Sequence, residues 1–104
     1  MYPSRSDHLR SETAIGILLE LIPIFEAEAV YAAAESSRAL IGALRNWDID
    51  SLWRHFTVIE SAWQPRGIPE PGRVSQSDRL VRLASALRMI SLDLLAQPEA
   101  NAHN

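Results

Sequence analysis

One stretch of the chain, from Leu9 to Trp47, limits the possible folds more than any other. Its apolar residues recur every three or four positions, which is the spacing of a helix and not of a strand. The stripe that they form contains Ile15, Leu18, Ile22, Phe25, Ala29, Ala33, Ser36, Leu40 and Ala43. The spacing crosses Pro23 without a change of phase, so we predict one long helix that bends at Pro23. A second helix that starts at Pro23 is the alternative, because proline is well tolerated in the first turn of a helix.

Two shorter helices follow in the predicted fold. Apolar residues at helical spacing predict one helix over about residues 51–63 and another over about residues 77–97. In the last helix, Val81, Met89, Leu92 and Leu95 are expected to widen the core stripe of Leu80, Leu83, Leu87, Ile90 and Leu94. No segment alternates between apolar and polar residues as a strand does. The expected fold is therefore an all-α bundle of three main helices.

The length and the turn residues indicate a single helical domain over residues 1–104. An apolar fraction of 47% is high enough for a folded core. Residues 64–74 contain three prolines and two glycines, and this composition predicts a loop between the last two helices. We expect flexible ends at residues 1–6 and 98–104, and caps at Ser6 or Asp7 and at Ser75 or Ser77.

A second apolar flank distinguishes the first half of the long helix. Ile17, Leu21, Ile24 and Tyr31 lie well off the main stripe, and three helices offer no evident cover for them. We therefore expect dimerisation through the first helix to complete the bundle. The sequence leaves open whether this flank serves self-association or the binding of a different protein.

Aromatic residues are concentrated in the middle of the chain. Trp47, Trp53 and Trp63 fall within 17 residues, with Phe56 between them. Tryptophan is enriched at the energetic centres of protein interfaces, so all four residues are candidate interface residues. The alternative is that a small domain uses large side chains to fill its own core.

Candidate catalytic and metal-binding residues are few. His8 and Glu12 have a spacing that places both on one helix face, but two ligands do not complete a zinc site. His55 lies near Asp50 and Glu60 in the sequence, and no nucleophile is placed beside it. The chain has no glycine-rich phosphate loop and no nucleophile elbow. We expect no enzymatic activity, no metal and no cofactor.

Charge and composition narrow the partners and the compartment. The net charge of −3 disfavours direct binding to nucleic acid. The apolar run of the first helix is too short to span a membrane and is broken by Glu20 and Pro23, and the start of the chain does not resemble a secretory signal. The absence of cysteine is compatible with a reducing compartment, so we expect a cytoplasmic protein.

The size, acidity and helical content are similar, as a class, to those of small bacterial inhibitors. Among these are anti-activators that sequester transcription regulators and immunity proteins that block toxins; no motif carries the similarity. We therefore expect a regulatory protein that binds and inhibits a partner, in the first place an anti-activator that blocks the dimerisation of a transcription regulator. An immunity-type or antitoxin-type inhibitor is the alternative, and a small enzyme or ligand-binding helical domain is the second.

Overall fold

The structure, a computed structural model, describes the backbone of residues 3–62 and 71–96 and the side chains of residues 3–62 and 78–96. These residues form four α-helices and no strand: α1 (Arg5–Ala27), α2 (Tyr31–Arg45), α3 (Ile49–Ala62) and α4 (Pro71–Leu95). The prediction of an all-helical fold is confirmed. The number of helices is wrong, because the predicted long helix is two helices.

Helix α1 begins with a reciprocal cap, two residues earlier than the sequence predicts. The Ser4 hydroxyl accepts from the Asp7 backbone N–H at 3.1 Å, and the Asp7 carboxylate accepts from the Ser4 N–H at 3.0 Å. This capping box satisfies two backbone donors that the first turn leaves unpaired. The predicted flexible arm over residues 1–6 therefore overlaps the helix start at Arg5.

Pro23 lies inside α1 on an exposed position, and the helix continues to Ala27. The alternative in which a second helix starts at Pro23 is wrong. The chain leaves the helix at Ala29 instead, which adopts a left-handed backbone with φ of 59°. The Ala29 N–H donates to the Glu26 carbonyl at 3.1 Å and the Val30 N–H to the Phe25 carbonyl at 2.8 Å. Both bonds belong to a Schellman turn, which normally carries glycine at the left-handed position.

A second turn of the same kind ends α2. Trp47 has φ of 55°, its N–H donates to the Leu44 carbonyl at 3.3 Å, and the Asp48 N–H donates to the Ala43 carbonyl at 2.9 Å. Asp48 immediately precedes α3, and its carboxylate accepts from the Ser51 hydroxyl in the first turn at 2.7 Å. The two turns fold α2 back onto α1 and α3 back onto α2.

Helix α4 begins at Pro71, so residues 71–74 of the predicted loop are helical. The proline occupies the first helical position, where its missing N–H would have no partner in any case. The predicted cap at Ser75 or Ser77 is wrong, because both residues lie inside a helix that begins at Pro71. The remainder of the predicted loop and residues 98–104 lie outside the described residues.

The core lies where α1 is enclosed between α2 and α4, and where α3 closes over α2 and, less extensively, over α4. Its fully buried large side chains are Leu18, Leu21, Phe25, Leu40, Leu44, Leu52, Ile59, Leu83, Leu87 and Ile90. Among the described residues, no buried side-chain nitrogen or oxygen lacks a hydrogen-bond partner. Burial of a leucine or isoleucine side chain contributes about 1.5–3 kcal/mol, so these residues dominate the stability.

Candidate protein-binding surface

The predicted apolar flank of α1 is divided between the core and the surface. Ile17 and Leu21 are buried, Ile24 is half-buried and Tyr31, the first residue of α2, is exposed. Helix α1 contacts both α2 and α4, so Ile17 and Leu21 are covered within one chain, whereas Leu9 and Leu19 of the same helix are exposed. The expectation that Ile17 and Leu21 lack cover is therefore wrong, because it counted three helices and the chain folds into four.

The described tryptophans have structural contacts. The Trp47 ring stands edge-on to His8 at the start of α1, with 5.0 Å between the ring centroids. The Trp53 indole N–H donates to the Ser91 hydroxyl at 3.1 Å and so connects α3 to α4. The Trp53 and Phe56 rings also meet edge-to-face at 5.7 Å. Phe56 is buried, whereas Trp47 and Trp53 are half-buried and pack against the core; Trp63 lies outside the described residues.

Four of the eight large apolar side chains that are exposed in the described part of the chain lie on α4, on residues that the sequence assigns to the core. Val81 is 68% exposed, Leu92 60%, Leu95 69% and Met89 45%. At 100° per residue, Val81 and Leu92 lie about 20° apart, roughly opposite the buried side of the helix. Together with the exposed Ser85 and Arg88, these residues form what we call the outer face of α4. The sequence does carry a signal for this second side. The apolar residues of α4 are spread around more of the helix than a single core-facing stripe can include.

A groove runs beside this face, where α3 and α4 diverge. It encloses about 300 Å³ and is lined by Phe56, Glu60, Leu80, Val81, Ala84, Ser85 and Arg88. Val81, Ser85 and Arg88 belong to both the groove and the outer face, so the two form one continuous surface. Most of the groove is apolar, and Glu60 and Arg88 contribute the charges.

The arginines of α4 differ in their partners. Arg79 donates to the Glu20 carboxylate at 2.9 Å and so attaches α4 to α1. Arg82 and Arg88 are exposed, and within the described part of the chain neither has a carboxylate within ion-pair distance. Arg82 therefore borders the outer face and Arg88 lies on it, each without a carboxylate partner among the described residues.

A pair of carboxyl groups joins the start of α1 to the end of α4. The Ser4 hydroxyl, which caps α1, donates to the Asp93 carboxylate at 3.3 Å, and Arg10 donates to the buried Asp7 at 3.4 Å. Burial raises the pKa of Asp7, but hydrogen bonds from Asp93 and Ser4 and the charge of Arg10 outweigh it, so the pKa lies below 3.8. The hydrogen bond to Asp7 raises the pKa of Asp93 above 3.8.

The other candidate chemical groups are dispersed. His8 lies against Trp47, and His55 lines a hollow of about 290 Å³ between α2 and α3 with Glu35 and Val58. The residues that the structure describes contain no group of three or more metal-ligating side chains. None of the helices formed by those residues is long and apolar enough to cross a membrane.

Comparisons with models of protein families, with curated proteins and with solved structures found no match to this chain.

Proposed function

We propose that this protein binds another protein through the outer face of α4 and the groove beside it, and thereby keeps that partner from acting. The observation that carries the proposal is the exposure of Val81, Leu92 and Leu95 on one side of α4, whose described residues on the opposite side include the buried Leu83, Leu87, Ile90 and Leu94. Large exposed apolar patches on monomeric proteins mark interaction surfaces.

The shape of this surface favours a helical partner. A helix face next to a shallow apolar groove accepts the apolar side of a second amphipathic helix, with side chains every three or four residues as anchors. A transcription regulator that dimerises through such a helix is the class of partner that we propose. This protein would take the place of the second regulator subunit and act as an anti-activator.

The candidate interface changes accordingly from the one expected from sequence. Ile17 and Leu21 hold the core and are unavailable to a partner without unfolding. Phe56 contributes to the floor of the groove although it is mostly buried. Tyr31 is exposed but belongs to α2, and it is not among the residues that line the groove.

The immunity-type alternative depends on free acidic groups. The acidic groups expected to carry it are Glu26, Glu28 and Glu35, of which the Glu26 carboxylate accepts from Arg38 and Glu28 also has an interaction within the chain. Two of the three are therefore engaged by the chain itself, which weakens the case for a charge-led contact. The groove of about 300 Å³ lies at the lower end of ordinary small-molecule sites and is open, so we also favour binding over catalysis.

Affinity capture from the native host tests the proposal when three baits are compared. The first is the wild type, the second is Leu92→Glu on the outer face, and the third is Leu19→Glu, which alters an equally exposed leucine on α1. We expect a partner that the wild type and Leu19→Glu retain and that Leu92→Glu loses. A partner that Leu92→Glu retains and Leu19→Glu loses would move the site to α1 and contradict the proposal.

Salt then separates the two inhibitory mechanisms. An apolar helix-on-helix contact persists in molar salt, whereas a charge-steered occlusion loses association rate steeply as the charges are screened. We expect retention of the captured partner at 1 M salt, a concentration at which the screening length falls to about 3 Å.

A further inference from the structure

We propose that a hollow between α1 and α2 is a second binding site, which takes a small anionic amphiphile, a carboxylate with a short straight aliphatic chain. This α1–α2 hollow is lined by Leu19, Ile22, Arg38, Ile41 and Arg45. None of these residues lines the groove beside the outer face of α4. The inference therefore goes beyond the proposed function, because it concerns a different pair of helices and needs no protein partner.

The size of the α1–α2 hollow fits a small ligand. It encloses about 400 Å³, within the range of ordinary small-molecule sites. Arg38 and Arg45 are seven residues apart on α2, so they lie about 10 Å apart along the helix axis. A zigzag chain of about eight carbons, with bonds of about 1.5 Å, spans a similar length. The hollow therefore matches a chain of this length.

The apolar part of the lining comes from both helices. Ile22 and Ile41 are largely buried and form the floor, whereas Leu19 is 56% exposed and stands at the rim. An aliphatic chain laid along this strip would cover the Leu19 side chain and would itself leave water. Removing both apolar surfaces from water is favourable, so the strip provides a binding surface for the chain.

The charges in the lining have one sign. Both charged residues of the α1–α2 hollow are arginines, whereas the groove beside α4 and the hollow between α2 and α3 each include a glutamate. This site is thus cationic in a chain with a net charge of −3. Arginine binds carboxylates through two parallel hydrogen bonds. A cationic rim over an aliphatic floor therefore complements an anion that carries an apolar chain.

The two arginines differ in availability. Arg38 already donates to the Glu26 carboxylate of α1, so this ion pair closes one end of the hollow. Arg45 lies at the other end, is exposed, and has no carboxylate within ion-pair distance among the described residues. The ligand carboxylate therefore binds Arg45, and its chain extends toward Arg38.

The end of α2 does not need the Arg45 side chain. An arginine in the last turn of a helix often donates to the terminal carbonyl groups. Here those carbonyls already accept from backbone N–H groups, in the pairs Asn46 to Gly42, Trp47 to Leu44 and Asp48 to Ala43. The guanidinium group of Arg45 is thus left for a ligand.

Titration of the isotope-labelled protein with octanoate, followed by backbone amide chemical shifts at pH 7, tests the site. We expect saturable shifts centred on Leu19 and Ile41. Octanol has the same chain without the charge and should bind about tenfold more weakly, because it lacks the charge-assisted hydrogen bonds. Butyrate has the charge and a chain four carbons shorter, so it should bind about a hundredfold more weakly.

Matched variants separate the roles of charge and chain. Arg45→Gln should weaken octanoate binding about tenfold and leave octanol binding unchanged, whereas Arg54→Gln, an exposed arginine on α3, should change neither. Leu19→Glu should weaken both ligands at least about tenfold, and Leu92→Glu on α4 should weaken neither.

Four results would overturn the proposal. The first is the absence of saturable shifts with octanoate, and the second is octanoate binding that Arg45→Gln leaves unchanged. The third is a shift of the same amides when the concentration of the protein alone is raised, which would show that a second copy occupies the hollow. The fourth is a captured protein that only Leu19→Glu loses, which would show that a protein occupies it.

Discussion

Helices α1 and α4 are the two longest helices of the chain, and both carry apolar residues on two sides. In α1 the apolar residues Ile17, Leu21 and Phe25 are buried and the helix contacts both α2 and α4, although Leu9 and Leu19 are exposed. In α4 one side is packed in the core and the other, with Val81, Leu92 and Leu95, is exposed. An apolar excess in sequence therefore does not by itself identify an interaction surface, because the number of neighbouring helices decides which excess remains exposed.

The same substitution placed on the two helices gives the largest contrast. Leu21→Glu puts a charge into a fully buried site of α1, and we expect a loss of about 4 kcal/mol or more in the free energy of unfolding. Leu92→Glu on the outer face of α4 should change the unfolding free energy of the monomer by about 0.5 kcal/mol or less. Chemical denaturation at low micromolar concentration measures both. Equal losses in the two variants would show that Leu92 is buried and would remove the contrast.

The next largest loss of stability is expected from a change at the contact between the start of α1 and the end of α4. Asp7→Ala removes one half of the capping box and a buried acceptor, so we expect a loss of about 1–2 kcal/mol at pH 7. The folded-state pKa of Asp7 is lowered, so this contribution is complete above pH 3.8 and is lost as the pH falls through the folded-state pKa. Denaturation of wild type and variant should therefore converge in strong acid. A difference that persists unchanged below pH 2 would contradict the assigned role of the carboxylate.

Helix α2 can pack on α1 because the chain reverses at Ala29. A substitution in this turn should have a smaller effect, and a stabilising one. Ala29→Gly removes a left-handed strain of about 1–2 kcal/mol and adds a backbone entropy cost of about 0.5–1 kcal/mol, so we expect a net gain of about 0.5–1 kcal/mol. Trp47 has the same backbone conformation but packs on His8, so Trp47→Gly should destabilise the protein instead. Opposite signs in thermal denaturation support the assigned turns, whereas a loss in Ala29→Gly would contradict them.

The smallest expected effect concerns Asp93, the exposed carboxyl group of α4 that contacts the buried Asp7 of α1. Because the folded-state pKa of Asp93 is raised, its protonated form stabilises the fold below pH 3.8, and this contribution is lost as the pH rises through the folded-state pKa. Asp93→Asn keeps a donor toward Asp7 without the charge. We expect this variant to melt at a higher temperature than the wild type at pH 7 and at the same temperature below pH 3. Asp78→Asn, which removes a charge away from this pair, serves as the control. An equal gain in both variants would show that Asp7 plays no part.

The helical class and the stripes of α1, α3 and α4 are readable from the sequence because core contacts recur at the period of the helix. The end of α1 cannot be read from the sequence, because the left-handed position after the helix is Ala29 and not the glycine that marks most such turns. The start of α4 is not readable either, because Pro71 and Gly72 favour a loop in sequence, although proline also fits the first helical position. Periodicity shows that Val81 and Leu92 share a side of the helix but not whether another helix covers that side, so sequence alone assigns the outer face of α4 to the core.

The central claim is that one side of α4 keeps its apolar residues exposed in the folded chain. The melting temperatures of the wild type, Leu92→Glu and Leu21→Glu, measured at one low protein concentration, test it most directly, because a charge costs little at an exposed position and much at a buried one. We predict that Leu92→Glu melts with the wild type, whereas Leu21→Glu melts far below it. A Leu92→Glu variant that melts as far below the wild type as Leu21→Glu does would contradict the claim.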